Sequence, residues 1–210
     1  NVTVDEGTLN ALVENKQAIY ADGGQVILTA KAADDLLGAQ VNNSGIIQAR
    51  TISDLTGEIK LLADGATTIV DGILDASAPY GGDGGFIETS GDRVKIADGT
   101  FITTKSATGK NGTWLIDPTD FTIYPGNSAQ TISGIGVMTL AKMLEYNTVT
   151  IATSASGNGK GDINIDATMG AGNTRNVTAN ALPNSLTLIA ANNIYVNAPI
   201  YWNTNTLTLN

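Results

Sequence analysis

Glycines that precede short apolar runs recur at one spacing, and this spacing constrains the fold more than any other feature. Gly45, Gly72 and Gly99 stand 27 residues apart, and a further step of 27 reaches Gly126. Fixed periods of roughly 20 to 50 residues mark solenoids and related repeat arrays. The spacing therefore predicts a repeat protein in which these four glycines occupy equivalent structural turns.

A second glycine series has the same period and shows what the repeat is made of. Gly57, Gly85 and Gly112 follow one another at steps of 28 and 27. The runs between the glycines are short and alternate apolar with polar residues, as residues 57–61 (GEIKL) do. Alternation with period 2 is typical of strands with one buried side. We therefore expect an all-β fold, a β-solenoid whose stacked units bury a continuous core.

The period divides the chain into three parts. Residues 38–127 form the regular array of about 27-residue period, and residues 1–37 hold its first coils. Within the first part, residues 8–17 fit a helical turn or a loop equally well, and residues 31–37 favour a short helix.

The register is lost after residue 127, and the third part, 128–210, is predicted to continue the array with insertions. Val137, Leu140 and Met143 have helical spacing, which predicts a short amphipathic helix at about 138–146. Strand-like runs then resume, and the two LTL runs at 186–188 and 207–209 lie 21 residues apart. Segments 133–147 and 167–184 are the predicted insertions. Function in repeat proteins tends to reside in such departures.

The composition excludes several classes of function. The chain has 20 acidic and 11 basic residues, a net charge of −9, and neither cysteine nor histidine. An acidic chain with scattered basic residues does not favour binding to nucleic acid or to anionic lipid. The missing histidines exclude Ser-His-Asp catalysis and histidine-based metal sites. No apolar run approaches the ~18 residues of a membrane span, so no membrane insertion is expected.

A calcium site is the sharpest metal hypothesis that the sequence offers. Asp162, Asn164 and Asp166 place three oxygen-bearing side chains on one side of a strand. An EF-hand loop starting at Asp162 would need glycine and glutamate where the chain has Ala167 and Asn173. We interpret the segment as a solvated strand face and expect no metal and no cofactor.

Catalysis on carbohydrate would need carboxylates or a basic residue converging on a groove. The candidates share a position in or near the regular array: Glu88, Asp92, Arg93, Lys95, Asp117 and Asp120. Nothing in the sequence marks a converging pair among them, so the chain is predicted not to be an enzyme. A carbohydrate-active enzyme stays an alternative.

Aromatic residues near the end of the chain are the candidate ligand-binding residues. Tyr195, Tyr201 and Trp202 lie close together in sequence, and aromatic rings stack on sugar rings through their apolar faces. The alternative is a stacked core ladder. Four Asn-x-Ser/Thr sequons begin at Asn1, Asn42, Asn111 and Asn176, in a chain rich enough in Asn and Thr to produce them by chance.

Segments spread over nearly the whole chain resemble one family. Four segments carry the resemblance: residues 11–37 (ALVENKQAIYADGGQVILTAKAADDLL), 74–91 (LDASAPYGGDGGFIETSG), 112–123 (GTWLIDPTDFTI) and 185–202 (SLTLIAANNIYVNAPIYW). They are similar to filamentous-haemagglutinin-type exoproteins of two-partner secretion in Gram-negative bacteria, the family of the high-molecular-weight adhesins. The family's secretion domain carries an NPNG-type motif, which this chain lacks. The resemblance therefore places residues 1–37 at the trailing edge of that domain or in the first coils.

The resemblance implies a fold, a location and partners. The fold would be a right-handed parallel β-helix with short helical and loop excursions. The protein would leave the cell through an outer-membrane transporter partner and act in the medium or at the cell surface. The expected function is adhesion, by non-catalytic binding to a glycan or protein of a host or neighbouring cell. A passive structural stalk is the other alternative.

Overall fold

The computed structural model describes residues 1–6, 12–31, 40–126, 133–156, 159–170, 183–202 and 205–210. Within these ranges the fold is all-β with one short helix, α1, at Val137–Met143. The first ten strands are β1 Val2–Glu6, β2 Leu12–Asn15, β3 Ala18–Tyr20, β4 Gln25–Lys31, β5 Gln40–Asn43, β6 Ile46–Gln48, β7 Glu58–Val70, β8 Ile73–Asp75, β9 Phe86–Ile96 and β10 Phe101–Thr103. The others are β11 Thr113–Asp117, β12 Phe121–Tyr124, β13 Gly134–Gly136, β14 Thr148–Ala152, β15 Ile163–Ile165, β16 Met169–Gly170, β17 Leu186–Ile189, β18 Ile194–Val196, β19 Ile200–Tyr201 and β20 Leu207–Leu209.

The named strands pair only in parallel, and they form a sheet that nearly closes around one core. Its first side, face 1, stacks β1, β4, the start of β7, the start of β9, β11, β14, β17 and β20. Its second side, face 2, stacks β2, β5, the ends of β7 and β9, β13, β12, β15 and β18. The four-stranded sheet of β3, β6, β8 and β10 is face 3, and β16 pairs with β19 in a small separate sheet.

Strand alternation explains why the core is continuous. Along β4, and along β7 on either side of Asp64 and Gly65, every second side chain is buried and the residues between them are at least partly exposed. In-register pairing then stacks the buried residues of face 1 into one column. That column contains Val26, Ile59, Ile87, Trp114, Val149 and Leu186. The Trp114 indole N–H, which is buried there, donates to the hydroxyl of Thr89 at 3.1 Å.

The predicted 27-residue spacing matches the strand register between some coils, and between others the register differs by one residue. In face 3, Ile46 pairs with Ile73 at a step of 27, but Ile73 pairs with Phe101 at 28. Gly45 and Gly72 are therefore equivalent, whereas Gly99 lies one residue out of register. Gly126, at φ +66°, follows β12 of face 2 and belongs to no such series.

The second glycine series lies at the corner that precedes face 1. The carbonyls of Gly57 and Gly85 accept hydrogen bonds from the N–H groups of Phe86 and Thr113, at 3.0 and 3.2 Å. The carbonyl of Gly112 accepts from Thr148 at 3.0 Å. Glycine is needed at Gly85 and Gly112 because the backbone of the preceding coil leaves no room for a Cβ atom, and at Gly57 because the backbone of Ala49 does the same.

The stack continues past residue 127 with coils of different lengths. Face 1 runs on from Trp114 to Val149 and from Val149 to Leu186, at steps of 35 and 37. Leu186 pairs with Leu207 at the predicted step of 21. Described strands from either side of both predicted boundaries, after 37 and after 127, belong to one sheet.

An inserted strand and a helix take up the extra residues. Strand β13 lies between β9 and β12, although it follows β12 in the chain. Helix α1 then packs Leu140 and Met143 into the core above β10, and it confirms the helix predicted at about 138–146 with slightly earlier bounds. Both alternatives considered at 8–17, a helical turn and a loop, are wrong for Leu12–Asn15, which form β2. The helix favoured at 31–37 and most of the insertion predicted at 167–184 fall outside the described residues.

Candidate functional site

Face 3 carries apolar side chains on its outer side as well as in the core. Ile47, Leu74 and Ile102 point inward and are fully buried. Their predecessors Ile46, Ile73 and Phe101 point outward, in register from strand to strand, and remain partly accessible. The outer side of a sheet that faces water usually carries polar side chains. An apolar row in that position is therefore a candidate contact surface.

Aromatic rings and cations extend this row at the β10 end of face 3, which we call its upper end; the β3 end is the lower end. The ring of Phe101 meets the ring of Tyr146 edge to face, with 5.1 Å between ring centroids and 74° between the planes. The Lys142 ammonium lies 5.6 Å from the centroid of Phe101, and that of Lys105 lies 5.7 Å from the centroid of Tyr146. Such cation–π contacts keep long lysine side chains close to the rings.

A second aromatic group lies at the lower end and along the side of face 3. Tyr20 on β3 is 64% exposed and Tyr80 is 86% exposed. The guanidinium of Arg50 lies 5.9 Å from the centroid of the Tyr80 ring and forms an ion pair with Asp22 at 2.8 Å. We define the aromatic surface as Tyr20, Ile73, Tyr80, Phe101 and Tyr146.

A groove that lies away from face 3, at the corner between face 1 and face 2, is lined by several carboxylates. Its volume is about 220 Å³, and it lies where β7 and β9 turn from face 1 to face 2. Its lining includes Asp64, Asp92 and Asp117, with Ser90, Gly91, Thr119, Ser154 and Ser156 among the other residues. Within the described part of the chain, no three acidic side chains are grouped so that they could hold a metal ion.

Burial of Asp117 raises the pKa of its carboxyl group, and the charge of nearby Glu88 raises it further. The folded state thus binds this proton more tightly than the unfolded chain does. The resulting contribution to stability is present below the ordinary pKa of 3.8 and is lost as the pH rises through the folded-state value.

We expect Asp117→Asn to raise the urea midpoint of unfolding modestly at pH 7 and to change it little at pH 3. Asp22→Asn is the control of opposite sign. Burial alone would raise the pKa of Asp22, but hydrogen bonds from Arg50 and Gln48 outweigh burial and lower it. That variant should lose stability at pH 7. A lower midpoint for Asp117→Asn at pH 7 would contradict this account of the groove.

The three aromatic residues singled out in the sequence do not form one cluster. Tyr195 lies on β18, beside Asn164 of face 2, and its hydroxyl accepts from the Asn193 amide at 3.2 Å. Tyr201 lies on β19, beside Gly170 of the small sheet. Trp202 packs partly against the core, and its indole N–H donates to the Asn205 carbonyl at 2.6 Å.

The candidate catalytic residues are spread over several places. Asp92 and Asp117 share the groove, whereas Glu88 lies outside its lining and accepts a hydrogen bond from Ser90. Asp120 accepts backbone hydrogen bonds from Lys160 and Asp162. Arg93 and Lys95 lie on the face 2 end of β9.

Two of the three residues of the calcium hypothesis accept hydrogen bonds from the neighbouring coil, each through one carboxylate oxygen. The Asp162 carboxylate accepts from the side-chain amide of Asn192 at 2.8 Å and from the backbone N–H of Asn193. The Asp166 carboxylate accepts from the Asn197 amide at 2.7 Å. These bonds join neighbouring coils, so the two carboxylates act as inter-coil links.

The sequons that the structure describes are also engaged. The Asn111 amide accepts from the N–H of Ser106 and donates to Asn184, and the Asn42 amide donates to Glu14. The sequon at Asn176 falls outside the described residues.

The sequence did contain a signal for the aromatic surface. Gly45-Ile46-Ile47 and Gly72-Ile73-Leu74 carry two adjacent apolar residues where simple alternation would give one. Because neighbouring side chains of a strand point to opposite sides, such a pair implies one apolar residue on the outer side. Tyr146 and Lys142 carry no such signal, because they reach face 3 only through the inserted helix segment.

Comparisons with known protein families, with curated proteins and with solved structures find no match to this chain. In the described ranges, no helix has both the length and the apolar character required to cross a bilayer.

Proposed function

We propose that the chain is a right-handed parallel β-helix segment of a secreted or surface-held bacterial exoprotein, and that it acts as an adhesin. The aromatic surface is the observation that carries this proposal. Exposed tyrosines on a rigid sheet offer a large contact area whose ordering on binding costs little entropy, and tyrosine is enriched where binding energy concentrates. The parallel stack supplies the rigidity.

Two further arguments support the fold and the location. Crossover connections between parallel strands of one sheet are right-handed in about 98% of cases, which favours the right-handed form. The resemblance of residues 74–91 and 112–123 to filamentous-haemagglutinin-type exoproteins favours export through an outer-membrane transporter partner and residence at the surface of a Gram-negative bacterium. The ligand would be a glycan or protein of a host or neighbouring cell.

Direct binding of the purified chain to cultured epithelial cells tests the proposal. We expect saturable binding that Tyr20→Ser together with Tyr80→Ser weakens at least about tenfold, because exposed tyrosines at a contact surface are typical hot spots. Tyr195→Ser together with Tyr201→Ser is the matched control, since it removes two exposed tyrosines from other sheets.

The outcomes separate the candidate functions. If the control pair alone weakens binding, the contact residues are those first indicated by the sequence. If a folded chain does not bind, the adhesin proposal is wrong and the chain is a passive stalk. If a polysaccharide substrate panel releases reducing sugar and Asp117→Asn abolishes that release, the chain is a carbohydrate-active enzyme. The groove with Asp92 and Asp117 is the specific observation that keeps this second candidate open.

A further inference from the structure

We propose that the upper end of the aromatic surface binds an acidic polysaccharide whose sugar rings carry carboxyl groups, a uronic-acid polymer. This inference rests on the proposed adhesive function and specifies its ligand. The residues that carry it are Phe101, Tyr146, Lys105 and Lys142.

The two lysines are available to an anionic ligand. Both side chains are exposed, and neither ammonium forms an ion pair with a carboxylate in the described residues. Glu145 lies three residues after Lys142, a spacing that often yields a helical ion pair, yet no such pair forms. In a chain of net charge −9, these two lysines bring two positive charges to one aromatic pair without an ion pair to any described carboxylate.

The rings determine what kind of anion fits. Phe101 and Tyr146 meet edge to face, so their accessible parts form a shallow apolar step continued by Ile73 below. The C–H side of a pyranose ring packs on such a surface. Each ammonium lies less than 6 Å from a ring centroid, so an anion must sit close to the stacked sugar ring. A carboxyl group bonded directly to a ring carbon meets this requirement.

Other anionic partners fit this surface less well. A nucleic acid or an anionic membrane would approach over a wide area and meet the excess negative charge of the chain. An extended peptide adds to a sheet edge through main-chain hydrogen bonds, and these residues lie on a sheet face and beside the helix segment. A sugar polymer needs neither a wide cationic area nor a free edge.

Binding of polygalacturonate to the purified chain, measured by titration calorimetry, tests the inference. We expect saturable binding that weakens as salt is raised, and no binding of the fully methyl-esterified polymer, which keeps the rings and lacks the charge. Lys105→Gln with Lys142→Gln should weaken binding about tenfold or more, as expected when two partly desolvated charge contacts are lost. Lys110→Gln with Lys160→Gln removes the same charge elsewhere and should change affinity less than about twofold.

Three results would overturn the inference. The first is no binding of polygalacturonate by a chain with a native circular dichroism spectrum and urea midpoint. The second is equal weakening by both lysine pairs, which would mean diffuse electrostatic attraction. The third is equal or tighter binding of dextran sulfate, which would assign the site to sulfated sugars. Cell binding measured in parallel separates the two proposals: a chain that adheres to cells and ignores polygalacturonate overturns the ligand assignment alone, and one that binds neither overturns both.

Discussion

Gly85→Ala is expected to lower the stability of the chain by about 3 kcal/mol or more, a severe effect for the addition of one methyl group. A Cβ atom at this position would lie 2.2 Å from the carbonyl oxygen of Gly57 in the adjacent coil. The obstacle is backbone, so no side chain can move away to make room. The coils must separate, and the hydrogen bond from the N–H of Phe86 to the same carbonyl is then weakened. Urea unfolding followed by circular dichroism measures the loss.

Gly99→Ala is the matched control within the same array. A Cβ atom there would meet only the Asp71 carboxylate oxygen at 3.5 Å, an ordinary contact, and the backbone lies outside the left-handed region. Replacing such a glycine stiffens the unfolded chain and is expected to be neutral or stabilising by about 0.4 to 1 kcal/mol. Similar losses for both variants would show that the corner contact is not what selects glycine.

This pair of variants also shows how far periodicity alone predicts the fold. The all-β class, the stacking and the equivalence of Gly57, Gly85 and Gly112 follow from a repeat that must close on itself every 27 or 28 residues. Gly99 and Gly45 look equally periodic in the sequence. One additional residue between Gly72 and Phe101 removes Gly99 from register, and a spacing pattern cannot distinguish a contact glycine from a turn glycine one residue away.

The inserted strand was not predictable from local pattern. Gly134–Gly136 is short, glycine-rich and without alternation, so nothing local marks it as a buried strand. It pairs only because β9 and β12 leave a place between them in face 2. Helix α1 was predictable because its apolar spacing is local, but its location above face 3 depends on the inserted strand.

The candidate site, too, was predictable from the sequence only where the pattern is local. Adjacent apolar residues indicate an apolar outer side for face 3, whereas the convergence of Phe101 with Tyr146 depends on tertiary placement across 45 residues. Tyr195, Tyr201 and Trp202 were grouped because they lie close together in sequence. Tyr201 ends β19 with an exposed side chain, whereas Trp202 follows the strand and packs partly against the core, so the two rings do not share one surface.

Asn147→Leu is expected to destabilise the chain by about 3 kcal/mol, because two backbone groups at the upper edge of face 3 would lose their partners. Among the described strands, none other than β8 pairs with β10, and α1 contacts β10 instead. The fully buried Asn147 amide takes the place of a further strand. Its oxygen accepts from the N–H of Thr104 at 2.8 Å, and its nitrogen donates to the carbonyl of Ile102 at 2.9 Å. Met143 accepts from the Ile102 N–H through its sulfur and from the Asn147 amide through its carbonyl.

Leucine has a similar volume and no polar atom, so the variant isolates the hydrogen bonds from the packing. The Thr104 amide should lose its protection against hydrogen exchange, which a general loosening of the core would not confine to this position. Asn193→Ala, which removes an exposed amide bonded to the Tyr195 hydroxyl, should cost less than about 0.5 kcal/mol. Unchanged Thr104 protection in Asn147→Leu would mean that another group covers this edge. In that case helix α1, and not Asn147, would cover the free edge of β10. Face 3 could then end there while face 1 and face 2 continue.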